Sequence, residues 1–110
     1  VKQIELYVPI CDNDGRRIEI EHWTWLRDTL VRHFNGFSKY LVDGFYRGQQ
    51  RDYAESCFIY RIVINDDCPD SRGEQDRLLN VVASVATWIK RYWKQESVLY
   101  TVSDVNATFV

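Results

Sequence analysis

Methionine is absent from the chain, and nothing about the fold follows from that. Only three cysteines occur, Cys11, Cys57 and Cys68, and no pair has C-x-x-C spacing. An odd count without paired spacing excludes a disulfide framework and makes a reducing cytoplasm the expected compartment. Positive charge is not in excess: 14 Lys and Arg face 16 Asp and Glu, a formal charge of −2. That balance argues against a general nucleic-acid or membrane-surface binder, which ordinarily carries a basic surplus. No apolar run is long enough to cross a bilayer, and the first residues lack the charged and apolar regions of a signal peptide. Internal repeats, low-complexity segments and flexible linkers are also missing. What remains reads as one domain over residues 1–110. Its 45% hydrophobic and 27% charged content suffices for an ordinary core.

The most strongly patterned stretch is 57–65, Cys-Phe-Ile-Tyr-Arg-Ile-Val-Ile-Asn. Its β-branched and aromatic residues predict a strand in the middle of a sheet. Phe58, Tyr60, Ile62 and Ile64 form an apolar row that should face helices. Cys57, Ile59, Arg61 and Val63 form a mixed row that should face solvent, a ligand or a partner.

The rest of the chain supplies its neighbours. Ile4, Leu6, Val8 and Ile10 alternate with Glu5, Tyr7 and Pro9, predicting a half-buried first strand that frays or bulges near Pro9. Asp12-Asn13-Asp14-Gly15 predicts a turn. Trp23, Leu26, Leu30 and Phe34 recur at spacings of three and four, drawing a helix over 21–34 that Gly36 should close. Trp25 lies off that stripe. A second strand is expected over 37–46, interrupted or bent at Asp43-Gly44, with a polar connection over 47–52 completing a hairpin. After an acidic loop at 65–73, Ser71 and Glu74 have capping-box spacing. The second helix should run to about residue 94 with Leu78, Val82, Val85, Ile89 and Tyr92 facing inward, and Leu79, Ala86 and Trp93 widening that stripe or marking a second one. A last strand is expected over 98–105, with a strand-like tail.

Strand, helix, strand, strand, helix, strand is the order of a ferredoxin-like α+β sandwich, an antiparallel four-stranded sheet with both helices on one face. The first and third strands are then central neighbours, so Glu5 and Arg61 should pair across the uncovered face, with Tyr7 and Ile59 beside them. Glu5, Tyr7, Ile59, Arg61 and Val63 are the candidate binding residues. An exposed face of this kind is expected to meet a second copy, giving a homodimer, or else another protein or a small molecule.

Several further stretches fit the same architecture. Phe34-Asn35-Gly36-Phe37-Ser38 ends the first helix, Asp43-Gly44-Phe45-Tyr46 lies on the second strand, Glu55 precedes the third, and Gln95-Glu96-Ser97-Val98 enters the fourth. In these stretches the chain resembles small bacterial single-domain proteins of uncharacterised function with a ferredoxin-like fold, although those often show Trp at the position of Tyr46. The resemblance implies the fold and imports no catalytic residue.

Chemistry is hard to place. Asp12-Asn13-Asp14-Gly15 lacks the later oxygen ligands of a calcium loop, since Arg16 and Arg17 stand where they should continue. Asp66, Asp67 and Asp70 cluster near Cys68 without a histidine. No metal and no cofactor are therefore expected. His22 and His33 are three helical turns apart and cannot act on one atom together. The expected function is a non-enzymatic binding domain. One alternative is a small oxidoreductase or oxygenase with a cavity lined by His22, His33, Trp23 or Tyr60. Another is RNA binding, for which Leu6-Tyr7-Val8 suits the first strand while 56–60 lacks the basic-glycine opening of the third.

Overall fold

The computed structural model describes residues 1–49, 52–64, 71–108 and 110, with backbone alone for Tyr46, Tyr53, Ser71 and Arg72. The acidic loop, with Cys68 and its aspartates, lies at 65–70 outside the described residues, as does the capping role expected of the Ser71 side chain.

The elements are β1 (Lys2–Pro9), α1 (Ile20–Phe34), β2 (Ser38–Arg47), β3 (Asp52–Ile64), α2 (Ser71–Tyr92) and β4 (Tyr100–Asp104). The sheet order is β2-β3-β1-β4, and every neighbouring pair is antiparallel. This is the expected ferredoxin-like α+β fold. No helix among the described residues is long and apolar enough to cross a membrane.

The apolar row of β3 lies toward the helices. Tyr60, Ile62 and Ile64 are buried with Ile4, Leu6 and Val8 of β1, while Phe58 packs half-buried against them. From α1, Leu26 and Leu30 enter this core, and Trp23 and Phe34 flank it. From α2 come Leu78, Val82, Val85 and Ile89. The next inward residue is Trp93, wholly buried, whereas Tyr92 is 44% exposed. The expected inward place for Tyr92 was wrong, because steps of four from Val85 through Ile89 lead to position 93. Backbone geometry keeps Trp93 in register, its N–H donating to the Ile89 carbonyl at 2.8 Å.

Three local expectations change. Asn35, not Gly36, closes α1: it adopts φ 64° and its N–H donates to the Val31 carbonyl. Asparagine tolerates the left-handed conformation, so the stop comes one residue earlier. The interruption foreseen as one possibility at Asp43-Gly44 does not occur, since β2 pairs with β3 without a break from Ser38↔Arg61 to Arg47↔Asp52. The tail after Asp104 is not strand among its described residues. By contrast, the turn at Asp12 forms as read. One Asp12 carboxylate oxygen accepts the N–H of both Asp14 and Arg16 at 2.9 Å, and Gly15 takes φ 78°.

Candidate functional site

Register puts Glu5 opposite Arg61 and Tyr7 opposite Ile59, on the sheet face away from the helices. The expected neighbours are therefore brought together, but the charge pair is indirect. The Arg61 Nη2 stands 3.9 Å from Glu5 Oε2. Tyr40, on the neighbouring strand β2, sits between them. Its hydroxyl donates to Glu5 Oε2 at 2.7 Å and accepts from Arg61 Nη2 at 3.1 Å. The guanidinium also lies 5.1 Å from the Tyr40 ring centre. Donation to the Glu5 carboxylate, ahead of burial, lifts the Tyr40 hydroxyl above its usual range. Sequence reasoning missed Tyr40 because the β2–β3 register was not known. Once Ser38 is set against Arg61, Tyr40 follows opposite Ile59.

The mixed row of β3 is less exposed than its composition suggests. Ile59 is 5% and Cys57 2% exposed, while Arg61 remains open. Of the row expected to face solvent, a ligand or a partner, Arg61 is open to solvent, Val63 is half-buried, Cys57 lines the pocket described next, and Ile59 is covered. Tyr7 and Tyr40 stand opposite Ile59 from the two flanking strands. Ile59 therefore has little surface left for a second copy.

Beyond Ile59 the same face deepens into a pocket of about 320 Å³. Tyr7 and Pro9 come from β1, Glu55 and Cys57 from β3, and Arg47 and Gly48 from the far end of β2. Gln95, Glu96, Ser97 and Leu99 come from the α2–β4 connection, and Asn13 from the loop after β1. The size lies at the small end of the range for ligand sites.

The α2–β4 connection is held by its own hydrogen bonds. Lys94 takes φ 50°, turning the chain at the end of α2. The Gln95 N–H donates to the Lys90 carbonyl at 2.9 Å. Its side-chain Nε2 donates to the carbonyls of Cys11 (2.9 Å) and Trp93 (3.0 Å). Asn13 N–H reaches the Lys94 carbonyl at 3.2 Å, and Tyr7 N–H the Leu99 carbonyl at 3.0 Å. Glu96 and Ser97 are thus carried into the pocket on a segment fixed to two other parts of the chain.

Glu55 is the pocket's most informative group. Gly44 pairs with it across β2–β3, so no side chain stands opposite. Among the described residues it makes no ion pair, and burial pushes its carboxyl above the ordinary range. Cys57 is also pushed up, first by burial and then by the charge of Glu55. An inert thiol results, not an activated nucleophile.

The histidines lead elsewhere. His22 packs against Trp93 and Trp88, with ring centres 5.0 and 5.7 Å away. Trp25, unexplained by the helical stripe, stacks on Trp88 at 3.6 Å and 17°. His33 meets Phe34, Trp23 meets Phe58 and Trp93, and Tyr60 meets Phe37. Of the residues proposed for an oxygenase cavity, His22 and Trp23 share Trp93 as a packing partner, while His33 and Tyr60 pack elsewhere.

No protein-family model matches the chain, and no curated protein does. Solved structures do match. A phage SAM lyase in complex with S-methyl-5'-thioadenosine superposes with a TM-score of 0.69 at 15% identity, over 94% of this chain and 80% of that one. CutA from Pyrococcus horikoshii gives 0.61 at 10% identity, covering 99% and 88%. The PII-like CutA of a Nostoc species gives 0.56 at 15%, covering 96% and 82%. The likeness is one of fold. It places the chain beside small α+β proteins, among them an enzyme, and assigns none of their activities to it.

Proposed function

We propose that this chain is a small-molecule-binding domain whose uncovered sheet face receives a cationic nucleoside of the S-adenosylmethionine (SAM) class. The observation that carries the reading is Glu55, a half-buried carboxylate without an ion-pair partner among the described residues, set in a concave pocket. Such a group is costly to ionise alone and is stabilised by an incoming cation. Glu96 adds a second carboxylate and Tyr7 an aromatic ring, a combination suited to a sulfonium beside a flat base. The fold shared with a lyase solved with S-methyl-5'-thioadenosine, a neutral thioether, supports the nucleoside part of this ligand, while the preference for a cation rests on Glu55 and Glu96. Arg61 lies six residues along β3 from Glu55, roughly 20 Å at strand rise, well beyond the reach of a sulfonium's own carboxylate, so it stands outside the ligand's footprint.

Titration calorimetry with SAM and with S-methyl-5'-thioadenosine is expected to give saturable binding of both. Absence of saturable binding at millimolar concentration would remove the proposal. A second reading, cleavage of the bound ligand, draws on the same pocket. In that reading the ligand's own carboxylate forms a C–O bond to its γ-carbon as the C–S bond breaks, the electron pair leaving on a neutral thioether, so no proton donor is needed. Chromatography separates the two readings: S-methyl-5'-thioadenosine accumulating faster than in a protein-free control makes the chain a lyase, and a rate equal to the control leaves it a binding domain.

Arg61→Gln tests the outer limit of the site. Arg61 is 44% exposed at its side chain, so its loss should lower stability by no more than about 1 kcal/mol. Affinity for SAM should be unchanged, because Arg61 does not line the pocket that holds Glu55. Denaturant midpoint and calorimetry, measured together, report the two effects. A loss of affinity without a loss of stability would extend the site outward to Arg61.

A further inference from the structure

β2 is an edge strand ten residues long, paired with β3 on one side only. Long uncovered edges with apolar side chains invite another strand. On the helix-side face of β2, Leu41 is 59% and Phe45 82% exposed, beyond the reach of α1 and α2. Lys39 and Asp43 are exposed on that same face.

The pattern along this edge is symmetric about Leu41. Two residues to either side lie Lys39 and Asp43, of opposite charge, while Phe37 precedes the strand and packs inward on Tyr60. If two β2 strands run antiparallel about a two-fold axis through Leu41, each residue meets the one whose number sums with its own to 82. Leu41 then meets Leu41, and Lys39 meets Asp43 twice over. A shift of register by two in either direction loses both charge pairs.

We propose that β2 is the contact between two copies of this chain, joined edge to edge in that register. The product is one eight-stranded sheet with all four helices on the same side. The uncovered face stays free for ligand, so this inference stands apart from the function proposed above. Self-complementary surfaces of this kind form closed two-fold dimers. Backbone hydrogen bonds supply attraction, and the alternating side chains fix register.

Native mass spectrometry and sedimentation at micromolar concentration test it. Wild type is expected as a dimer. Lys39→Asp sets carboxylate against carboxylate at both charge pairs, and Asp43→Lys sets ammonium against ammonium. Each variant alone should therefore dissociate about tenfold more readily. Mixed together, the two variants restore an opposite-charge contact at every pair and should form a heterodimer in preference to either homodimer. Leu41→Lys sets two ammonium groups at the axis and should leave monomer. Circular dichroism checks that each variant folds, and the mixing result stands even if Leu41→Lys does not. A monomeric wild type, a ring of three or more copies, or a dimer indifferent to Lys39 and Asp43 would each overturn the proposal.

Discussion

Replacing Trp93 by alanine is expected to lower stability by about 3–5 kcal/mol, within the range for deleting a buried aromatic. Domains of this size are stable by about 5–15 kcal/mol in total, so the variant should be largely unfolded in mild denaturant. Trp93 is wholly buried. It meets Trp23 edge-on at 5.6 Å and packs against Trp88 at 5.6 Å and His22 at 5.0 Å. It also follows directly on α2, and its carbonyl accepts the Gln95 side chain that holds the α2–β4 connection. Loss of the ring should therefore loosen the pocket as well as the core. Trp93→Phe is the control. The indole N–H has no hydrogen-bond partner among the described residues, so phenylalanine gives up volume and one unsatisfied donor together, and its loss should be clearly smaller. Urea denaturation of both variants checks this, and equal losses would show that ring size is not what the site needs.

Glu55→Gln should separate stability from binding. Burial raises the folded pKa of Glu55 above its unfolded value. The neutral acid is therefore the form the fold prefers. Its contribution to stability is fully present below the unfolded pKa and is lost as pH rises through the folded one. Glutamine is neutral throughout, so at neutral pH the variant should be as stable as the parent or more so. Affinity for SAM should move the other way, falling about 10–100-fold, as expected when a buried charge-assisted contact is lost. The parent's affinity should strengthen as pH rises through the raised pKa, because a cation binds the ionised form. The variant's profile should lose that step. Calorimetry across the acid-to-neutral range decides it. Parallel loss of stability and affinity would mean that Glu55 is scaffold.

The fold was legible because both apolar periodicities were unusually clean. Alternation in β1 and β3, and the steps of three and four in α1, each pointed to one burial pattern. Those patterns left few ways to order the six elements. The pairing of Glu5 with Arg61 followed from topology alone. What escaped was set by register and chain direction. Tyr40 joins Glu5 and Arg61 through the β2–β3 register, which the unforeseen continuity through Asp43-Gly44 establishes. Ile59 looked available because its row contains a charge, yet residues on the two flanking strands cover it. The pocket was hardest to see, since it draws on segments far apart in the chain. Its signal lay in Glu55 and Gln95-Glu96-Ser97, polar residues in places where neither a strand interior nor a turn requires them.

The place of β1 in the sheet has a consequence for how the chain is made. It is a central strand, held between β3 and β4, yet it leaves the ribosome before either of them. Until residue 52 and beyond emerge, its apolar row of Ile4, Leu6 and Val8 has no strand to pair with. The β2–β3 hairpin, by contrast, closes on itself within a short loop. Local pairing of this sort forms in microseconds, whereas recruiting β1 must first close a loop of about fifty residues. Synthesis therefore passes through a stage in which a finished hairpin awaits its central neighbour, and that is when the nascent chain most needs its strand edges shielded.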